Sequence, residues 1–404
     1  MRPAYGAMTI GEHAGAAAAA PARPAPADGA LGVTFAPAAE RLDALQGEWE
    51  ALAAHASEPN AFAEWWFVAA SVRHLADDSV RLAEVRRGEL LIGVMPLVIE
   101  RHYGRVPVQF VQNWRHHHQF LGSPLVTQGD EEAFWSALLG ALDGAPWARG
   151  FLHLRDIPED GQLHAGLVAA AGSLERSVPI VYREARAFLE TQLSPADYYS
   201  QTVRKKKRKE LARLRNRLTE LGALTTRRFG ERDTLSTWCD AFLELERSGW
   251  KGREGSALAC RPATEHFFRD ALQSAHESGR LQLLALELGG RPIAMLVNFL
   301  AAPGSFSFKT AFDEAYARFS PGVLLQIDNL DILDNPDIQW MDSCAAEQHP
   351  MIDSLWAERR ALIRVTIPLE GFQRRLAFSA ARTLERLSAA RRRRPPPPAN
   401  GDSE

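Results

Sequence analysis

LQLLALELGGRPIAMLVNFL, residues 281–300, consists of two apolar runs separated by Gly289 and Gly290. A glycine pair between apolar runs predicts a β-hairpin, because the tight turn needs positive φ at both central positions. The next stretch, SFSFKT at 305–310, is apolar at alternate positions and predicts a third strand. Three consecutive strands joined by short connections indicate a sheet.

The first half of the chain repeats this order. VRLAEV at 80–85 and LLIGVMPLVI at 90–99 flank a turn through Gly88, and a strand-like stretch follows at 106–111. Apolar residues at helical spacing precede each hairpin. They are Leu42, Leu45, Trp49 and Leu52 in the first half, and Leu235, Trp238, Phe242 and Leu245 in the second. A repeat of this length predicts duplication of a whole domain, because solenoid repeats are far shorter.

Composition sets the class of protein. The 404 residues are 46% hydrophobic and 24% charged, with a formal net charge of -3. This composition predicts globular domains, and the small net charge gives no global field that favours nucleic acid or membrane. The three cysteines, Cys239, Cys260 and Cys344, fit neither a disulfide framework nor a zinc site, and they predict a reducing, cytoplasmic location. No apolar run approaches the roughly 18 residues of a membrane helix.

We divide the chain into four parts. Residues 1–31 are an Ala/Pro-rich leader, and residues 388–404 are an Arg/Pro-rich tail. Both are expected to be disordered, because such compositions do not pack. Residues 32–188 and 189–387 are expected to be two tandem domains of α/β (α+β) class, each a mixed sheet flanked by helices.

A basic helix is predicted over residues 203–221. Six consecutive cations, Arg204 to Lys209, precede leucines at helical spacing, so the helix is amphipathic and docks on one side. Three interpretations of the cations stay open. They form a solvated face, bind an anionic partner such as CoA phosphates, an acyl carrier protein or a lipid surface, or bind nucleic acid. No aromatic residues are interleaved with them, which disfavours stacking on single strands.

A strand-to-helix junction lies at 316–325. The unpaired N–H groups at a helix start favour a phosphate. Pro321 suits the first helical position, and Gly322 allows close approach of a bulky anion. The alternative is an ordinary helix start.

The order of these segments resembles the GNAT acetyltransferases, in the tandem form of the cellulose-biosynthesis (CelD/BcsL) type and of the Fem aminoacyl transferases. The resemblance is carried by the basic helix, GWKGREGSAL at 249–258, the hairpin, and FKTAFDEAYARFSPGVLLQ at 308–326. It implies a degenerate first domain that lends walls to the acceptor cleft, and a working acyl-CoA site in the second. The chain departs from the family's phosphate pattern, since Pro321 and Val323 replace glycine and a small residue.

The resemblance also implies the site residues. Acetyl-CoA or another acyl-CoA, without a metal, would be held by Lys309, Arg318, Ser320, Pro321, Gly322 and Val323. Trp250 and Lys251 would wall the acceptor site. Direct attack on the thioester needs a base and an acid, for which the candidates are Asp313, Tyr316, Asp342, Glu347 and His349. We disfavour Cys344 as a nucleophile, and we interpret His116, His117 and His118 as loop or interface histidines rather than metal ligands.

The expected function is transfer of an acetyl or other acyl group from acyl-CoA to an amine or hydroxyl of a small molecule or envelope saccharide. One alternative is a Fem-like aminoacyl transferase that uses aminoacyl-tRNA, which the basic helix supports. Another is a non-catalytic GNAT scaffold that binds CoA, lipid or a biosynthetic partner.

Overall fold

The computed structural model describes residues 29–392, which form a mixed α/β protein built on one 13-stranded sheet. Residues 1–28 and 393–404, which hold most of the predicted leader and tail, lie outside the described part. Within that part, no helix is long and apolar enough to cross a bilayer.

The first half contains seven strands and four helices. They are β1 (Leu31–Pro37), α1 (Ala38–Ala54), α2 (Trp65–Leu75), β2 (Arg81–Arg87), β3 (Leu90–Glu100), β4 (Phe110–Asn113), β5 (Leu125–Val126), α3 (Glu131–Gly144), β6 (Phe151–Pro158), α4 (Gln162–Ser173) and β7 (Ile180–Glu190).

The second half contains six strands and seven helices. They are α5 (Pro195–Thr202), α6 (Lys205–Thr219), β8 (Leu224–Arg228), α7 (Leu235–Ser248), α8 (Trp250–Arg253), α9 (Pro262–Glu277), β9 (Leu281–Leu288), β10 (Arg291–Ala301), β11 (Gly304–Phe312), α10 (Pro321–Asp328), β12 (Trp340–Asp342), β13 (Glu358–Pro368) and α11 (Phe372–Arg392). Helix α11 extends five residues beyond the predicted end of the ordered chain at 387.

The duplication is visible in the order of elements. The series β1, α1, α2, β2, β3, β4, α3, β6 corresponds to β8, α7, α9, β9, β10, β11, α10, β12. The hairpin that suggested it is present: β9 and β10 pair antiparallel around Gly289 and Gly290, with φ of 59° and 79°. The predicted tandem α/β architecture is therefore confirmed.

The two halves exchange their last strands. The sheet order is β1-β2-β3-β4-β6-β13-β7-β12-β11-β10-β9-β8. Strand β7 of the first half pairs with β12 of the second, and β13, the last strand, pairs with β6 of the first. Strands β7 and β13 also pair with each other. The predicted domain boundary at 188/189 thus lies inside β7, a strand that belongs to both halves.

Buried ion pairs join the exchanged strands to their new neighbours. Asp342, at the end of β12, is fully buried, and its Oδ2 accepts hydrogen bonds from Arg186 of β7 at 2.6 Å and Arg360 of β13 at 3.2 Å. Asp156, on β6, has a comparable role, and its carboxylate contacts Arg364 of β13 at 3.1 Å and Arg115. Each carboxylate is thus neutralised by an arginine on a strand that the other half contributes.

Helices cover both faces of the sheet. On one face, α2 of the first half packs against α9 of the second, so that Trp66, Phe67 and Phe267 share one apolar core with Phe299 and Phe308 of the sheet. On the opposite face, α6 and α10 cover the second half and bury Leu211, Leu214 and Leu218. The basic helix is therefore docked on its leucine side, as its pattern predicts.

Replacing Asp342 by Ala is expected to lower the free energy of unfolding by about 3–5 kcal/mol, because two buried guanidinium groups lose their counter-ion. Urea denaturation followed by circular dichroism measures the change. Asp353→Ala is the control, since its ion pair with Arg359 (2.7 Å) is exposed and should contribute at most about 1 kcal/mol. Equal losses in the two variants would contradict a central role for Asp342.

Candidate active site

The sheet opens beside β11. Strands β11 and β12 run parallel, but they pair only over Gly304 to Phe306 with Trp340 to Asp342. Because β11 continues to Phe312, its edge from Ser307 onward has no partner strand on this side within residues 29–392. In the first half, the corresponding strands β4 and β6 also pair over a short length, Val111 and Gln112 with Leu152 and His153.

The opening in the first half is filled by the chain itself. The Asn113 amide donates to the carbonyl oxygens of Gly122 and Arg155 at 3.0 Å, and its Oδ1 accepts from the Arg155 N–H. The Gly122 N–H donates to the Asp156 carbonyl at 2.8 Å. The cavity that remains nearby measures about 10 Å³, which holds no substrate. This closure is consistent with a structural first domain.

In the second half, a β-bulge changes the edge of β11. Val297 of β10 lies opposite Lys309 and Asn298 lies opposite Ser307, so Phe308 is an extra residue. Bulges re-aim side chains and are frequent next to active sites. Here the Lys309 ammonium lies 5.2 Å from the centre of the Phe308 ring and 5.9 Å from that of Phe120, a residue of the first half.

The Lys309 ammonium has no hydrogen-bond or ion-pair partner among residues 29–392. Burial lowers the pKa of Lys309 to about 8, because the charged form loses solvation. The charges of Glu246 and Lys251 act on it with opposite signs. The half-buried Lys309 is therefore a cation available to a ligand.

Glu246 organises the wall opposite β11. Its Oε1 accepts from the Lys251 ammonium at 2.7 Å, and its Oε2 accepts from the Leu258 N–H at 2.8 Å. Glu246 is buried, and the sequence analysis missed it. A signal existed, since a glutamate four residues after Phe242 lies on the apolar side of α7.

The three adjacent histidines separate. His116 Nε2 is 3.0 Å from Ser71 Oγ, His117 is exposed, and the His118 ring stacks on Phe267 of the second half. Burial and the nearby Lys309 lower the pKa of His118 to about 3, so its ring is neutral. His118 is thus an interface histidine, and no group of three or more candidate metal ligands occurs within residues 29–392.

The segment after β12 contributes Cys344 and His349. Cys344 is buried with φ of 53°, and its N–H donates to Asp342 Oδ1 at 2.9 Å. Burial raises the pKa of the Cys344 thiol well above its usual value, so it stays protonated and is a poor nucleophile. His349 is half-buried, and burial together with the charge of Lys251 lowers its pKa. A neutral imidazole can accept a proton.

Helix α8 covers the outer end of β11. Glu314 accepts from the Trp250 N–H at 2.6 Å and from Arg253 Nη2 at 2.8 Å. The cavity beneath, between α8 and residues 310–312, measures about 30 Å³. Admission of a substrate therefore requires the segment that carries Lys251 to move. The Trp250 ring, predicted to wall the acceptor site, is 48% exposed.

The helix start predicted to bind phosphate is covered. Pro321 and Gly322 are buried, and the Met351 methyl carbon lies 2.9 Å from the position that a Cβ on Gly322 would occupy. The N–H groups of Val323 and Leu324 both donate to the Ser320 carbonyl. Binding of a diphosphate here requires displacement of Met351. Arg318, which was also predicted to bind the acyl-CoA, is exposed, and its guanidinium lies over the Phe319 ring.

Four acid–base candidates have other contacts or are exposed. Asp313 accepts from the Ala315 N–H at 2.9 Å and so caps the turn that follows β11. Tyr316 packs on the apolar cluster beneath α10, and Glu347 is exposed. Asp342 is occupied by Arg186 and Arg360. Of the predicted residues, Lys251 acts electrostatically on both Lys309 and His349, and the structure adds Glu246, His118 and Phe120 near Lys309.

Comparison with known proteins gives a family match for part of the chain and several structural neighbours. Residues 205–357 match the model of the acetyltransferase (GNAT) domain. FemX superposes with a TM-score of 0.56 at 11% identity, covering 83% of this chain and 98% of that chain. The C-terminal domain (DUF2156) of a putative lysylphosphatidylglycerol synthetase from Agrobacterium fabrum superposes with a TM-score of 0.51 at 12% identity, covering 86% and 96%. Comparison of the sequence with curated proteins gave no match.

Replacing Glu314 by Gln is expected to speed amide hydrogen exchange in residues 249–255, because the carboxylate that holds α8 at two points loses its charge. Exchange followed by mass spectrometry measures this. Glu254→Gln is the control, since its exposed side chain makes no hydrogen bond within residues 29–392. Unchanged exchange in the Glu314 variant would show that α8 is held by other contacts.

Proposed function

We propose that this chain, whose residues 205–357 match the GNAT acetyltransferase domain, is an acyltransferase that works at the unpaired edge of β11. The donor is acyl-CoA, most simply acetyl-CoA, and the acceptor is an amine or hydroxyl of a small molecule or envelope saccharide. The observation that carries the proposal is the Lys309 ammonium, which has no hydrogen-bond or ion-pair partner among residues 29–392 and directly follows the bulge residue Phe308 on the unpaired part of β11.

Lys309 supplies electrostatic stabilisation. When the acceptor attacks the thioester, negative charge develops on the carbonyl oxygen. An ammonium in a partly buried site attracts that charge more strongly than one in water, because screening is weaker there. The aromatic rings of Phe308 and Phe120 hold the cation from below without neutralising it.

The proton of the acceptor goes to His349 in this scheme. The acceptor nitrogen or oxygen forms a bond to the carbonyl carbon, the C–S bond breaks, and the thiolate leaves. It takes up a proton from solvent, into which His349 releases the proton that it accepted. Burial, together with the charge of Lys251, lowers the pKa of His349, which keeps its imidazole unprotonated and able to act as the base. Direct attack agrees with the protonated state of Cys344.

A Fem-like transfer from aminoacyl-tRNA is the second candidate. The fold likeness to FemX supports this reaction, and so do the exposed cations of α6, because they attract an anionic donor. The same edge of β11 would serve, since an aminoacyl ester and a thioester develop the same oxyanion. A scaffold without turnover would need neither Lys309 nor His349.

The activity of the proposed enzyme is expected to fall as pH rises through about 8, because the active form of Lys309 is protonated and its pKa is lowered to about 8. The pH profile of kcat/KM measures this. Lys309→Arg should keep activity above pH 10, since guanidinium stays charged, and Lys309→Met should lose about 10²–10³-fold. A profile that rises above pH 8 would make Lys309 a base instead.

The donor is tested at the covered helix start. Met351→Ala should lower the KM for acetyl-CoA because it uncovers Gly322, Met351→Leu should leave it near the wild-type value, and Gly322→Trp should abolish binding. Thiol release and CoA-dependent thermal shifts measure these effects. No thermal shift in any variant would refute acyl-CoA as donor. Binding of aminoacyl-tRNA with a steep salt dependence would then favour the Fem-like reaction.

A further inference from the structure

A long groove lies between α6 and α10, on the face of the sheet opposite α7. Its volume is about 650 Å³, far larger than the cavity beside β11. Its apolar lining comes from Leu211 and Ala212 of α6 and from Leu324 and Ile327 of α10, with the Tyr199 ring at one end. A groove of this size accepts several methylene groups or a small headgroup.

Three unpaired cations line one side of this groove. Lys205, Arg208 and Lys209 have no ion-pair or side-chain hydrogen-bond partner within residues 29–392, and Arg208 Nε is buried. The acid in the lining, Asp328, is already bound by Arg215 at 2.5 Å and by Thr226. The groove therefore combines an apolar floor with uncompensated positive charge.

The cationic surface continues outside the groove. Arg204, Lys206, Arg213 and Arg217 are exposed along the same helix and make no ion pair in the described part of the chain. At 1.5 Å per residue, the 15 residues of α6 span about 22 Å. One nucleotide would meet the cations in the groove but leave the outer face unpaired, whereas an anionic surface meets both.

We propose that the α6–α10 groove binds an anionic phospholipid at a membrane surface. The phosphate lies among Lys205, Arg208 and Lys209, and the first methylenes of an acyl chain lie on Ala212 and Ile327. The outer cations contact neighbouring headgroups, because juxtamembrane cations are attracted to anionic leaflets. This inference rests on a donor other than tRNA, because the Fem-like alternative would use the same cations of α6.

The test is sedimentation of the full chain with vesicles of phosphatidylglycerol and phosphatidylcholine, compared with phosphatidylcholine alone. Ala212→Trp fills the groove without changing any charge, and the site is exposed, so the fold should be retained. We expect about a tenfold weaker binding to the anionic vesicles. Ala169→Trp, at an exposed position of α4, is the matched control and should bind like wild type. Circular dichroism checks the fold of both variants.

A second pair of variants separates the groove from the outer face. Lys205→Gln with Lys209→Gln should weaken binding more than Arg213→Gln with Arg217→Gln, although both remove two charges. Equal losses, together with wild-type binding by Ala212→Trp, would overturn the proposal in favour of a delocalised charge effect. Loss of CoA binding but not of vesicle binding in Ala212→Trp would assign the groove to a nucleotide. Full competition by inorganic phosphate would show that the apolar floor contributes nothing.

Discussion

The structure depends on the pairing of β7 with β13. Each of these strands leaves its own half and completes the sheet of the other, so one hydrogen-bonded ladder joins both halves. A charged side chain buried at the centre of a sheet needs an oppositely charged partner. Asp342 and Asp156 supply the partners, each against an arginine of an exchanged strand. A continuous sheet places α2 against α9, and this contact brings residues of both halves to the edge of β11.

The two halves differ at the gap between two corresponding strands, β4 and β6 in the first half and β11 and β12 in the second. In the first, Asn113 bonds across the gap between β4 and β6 and closes it. In the second, Phe308 is an extra residue next to Lys309, and no side-chain amide among residues 29–392 is seen to bond across the gap between β11 and β12. The first half still contributes, since Phe120 lies beneath Lys309 and His118 lies close to it. The first half, whose gap between β4 and β6 is closed, thus contributes residues to the surroundings of Lys309 in the second half.

Local patterns predicted the elements but not their long-range partners. Gly289 and Gly290 specify their hairpin because both adopt the positive φ that the tight turn requires. The leucine spacing of α6 specifies which side of the helix is buried. The strand exchange is invisible in sequence, because β7 and β13 are equivalent strands and either pairing satisfies the same alternation. The bulge at Phe308 and the cover of Met351 over Gly322 also arise from tertiary packing. Reasoning from the sequence therefore located the strand that carries Lys309 but not the residues that surround it.

The exchange of strands also constrains how the chain is made. Strand β6 emerges from the ribosome long before β13, and until the C-terminal strand is synthesised its edge lacks the neighbour that it has in the finished protein. Exposed edges pair readily with other chains. Co-translational folding usually completes an N-terminal domain first, but here the first half cannot complete its sheet until β13 has been synthesised. The two tandem units are therefore expected to fold as one cooperative unit.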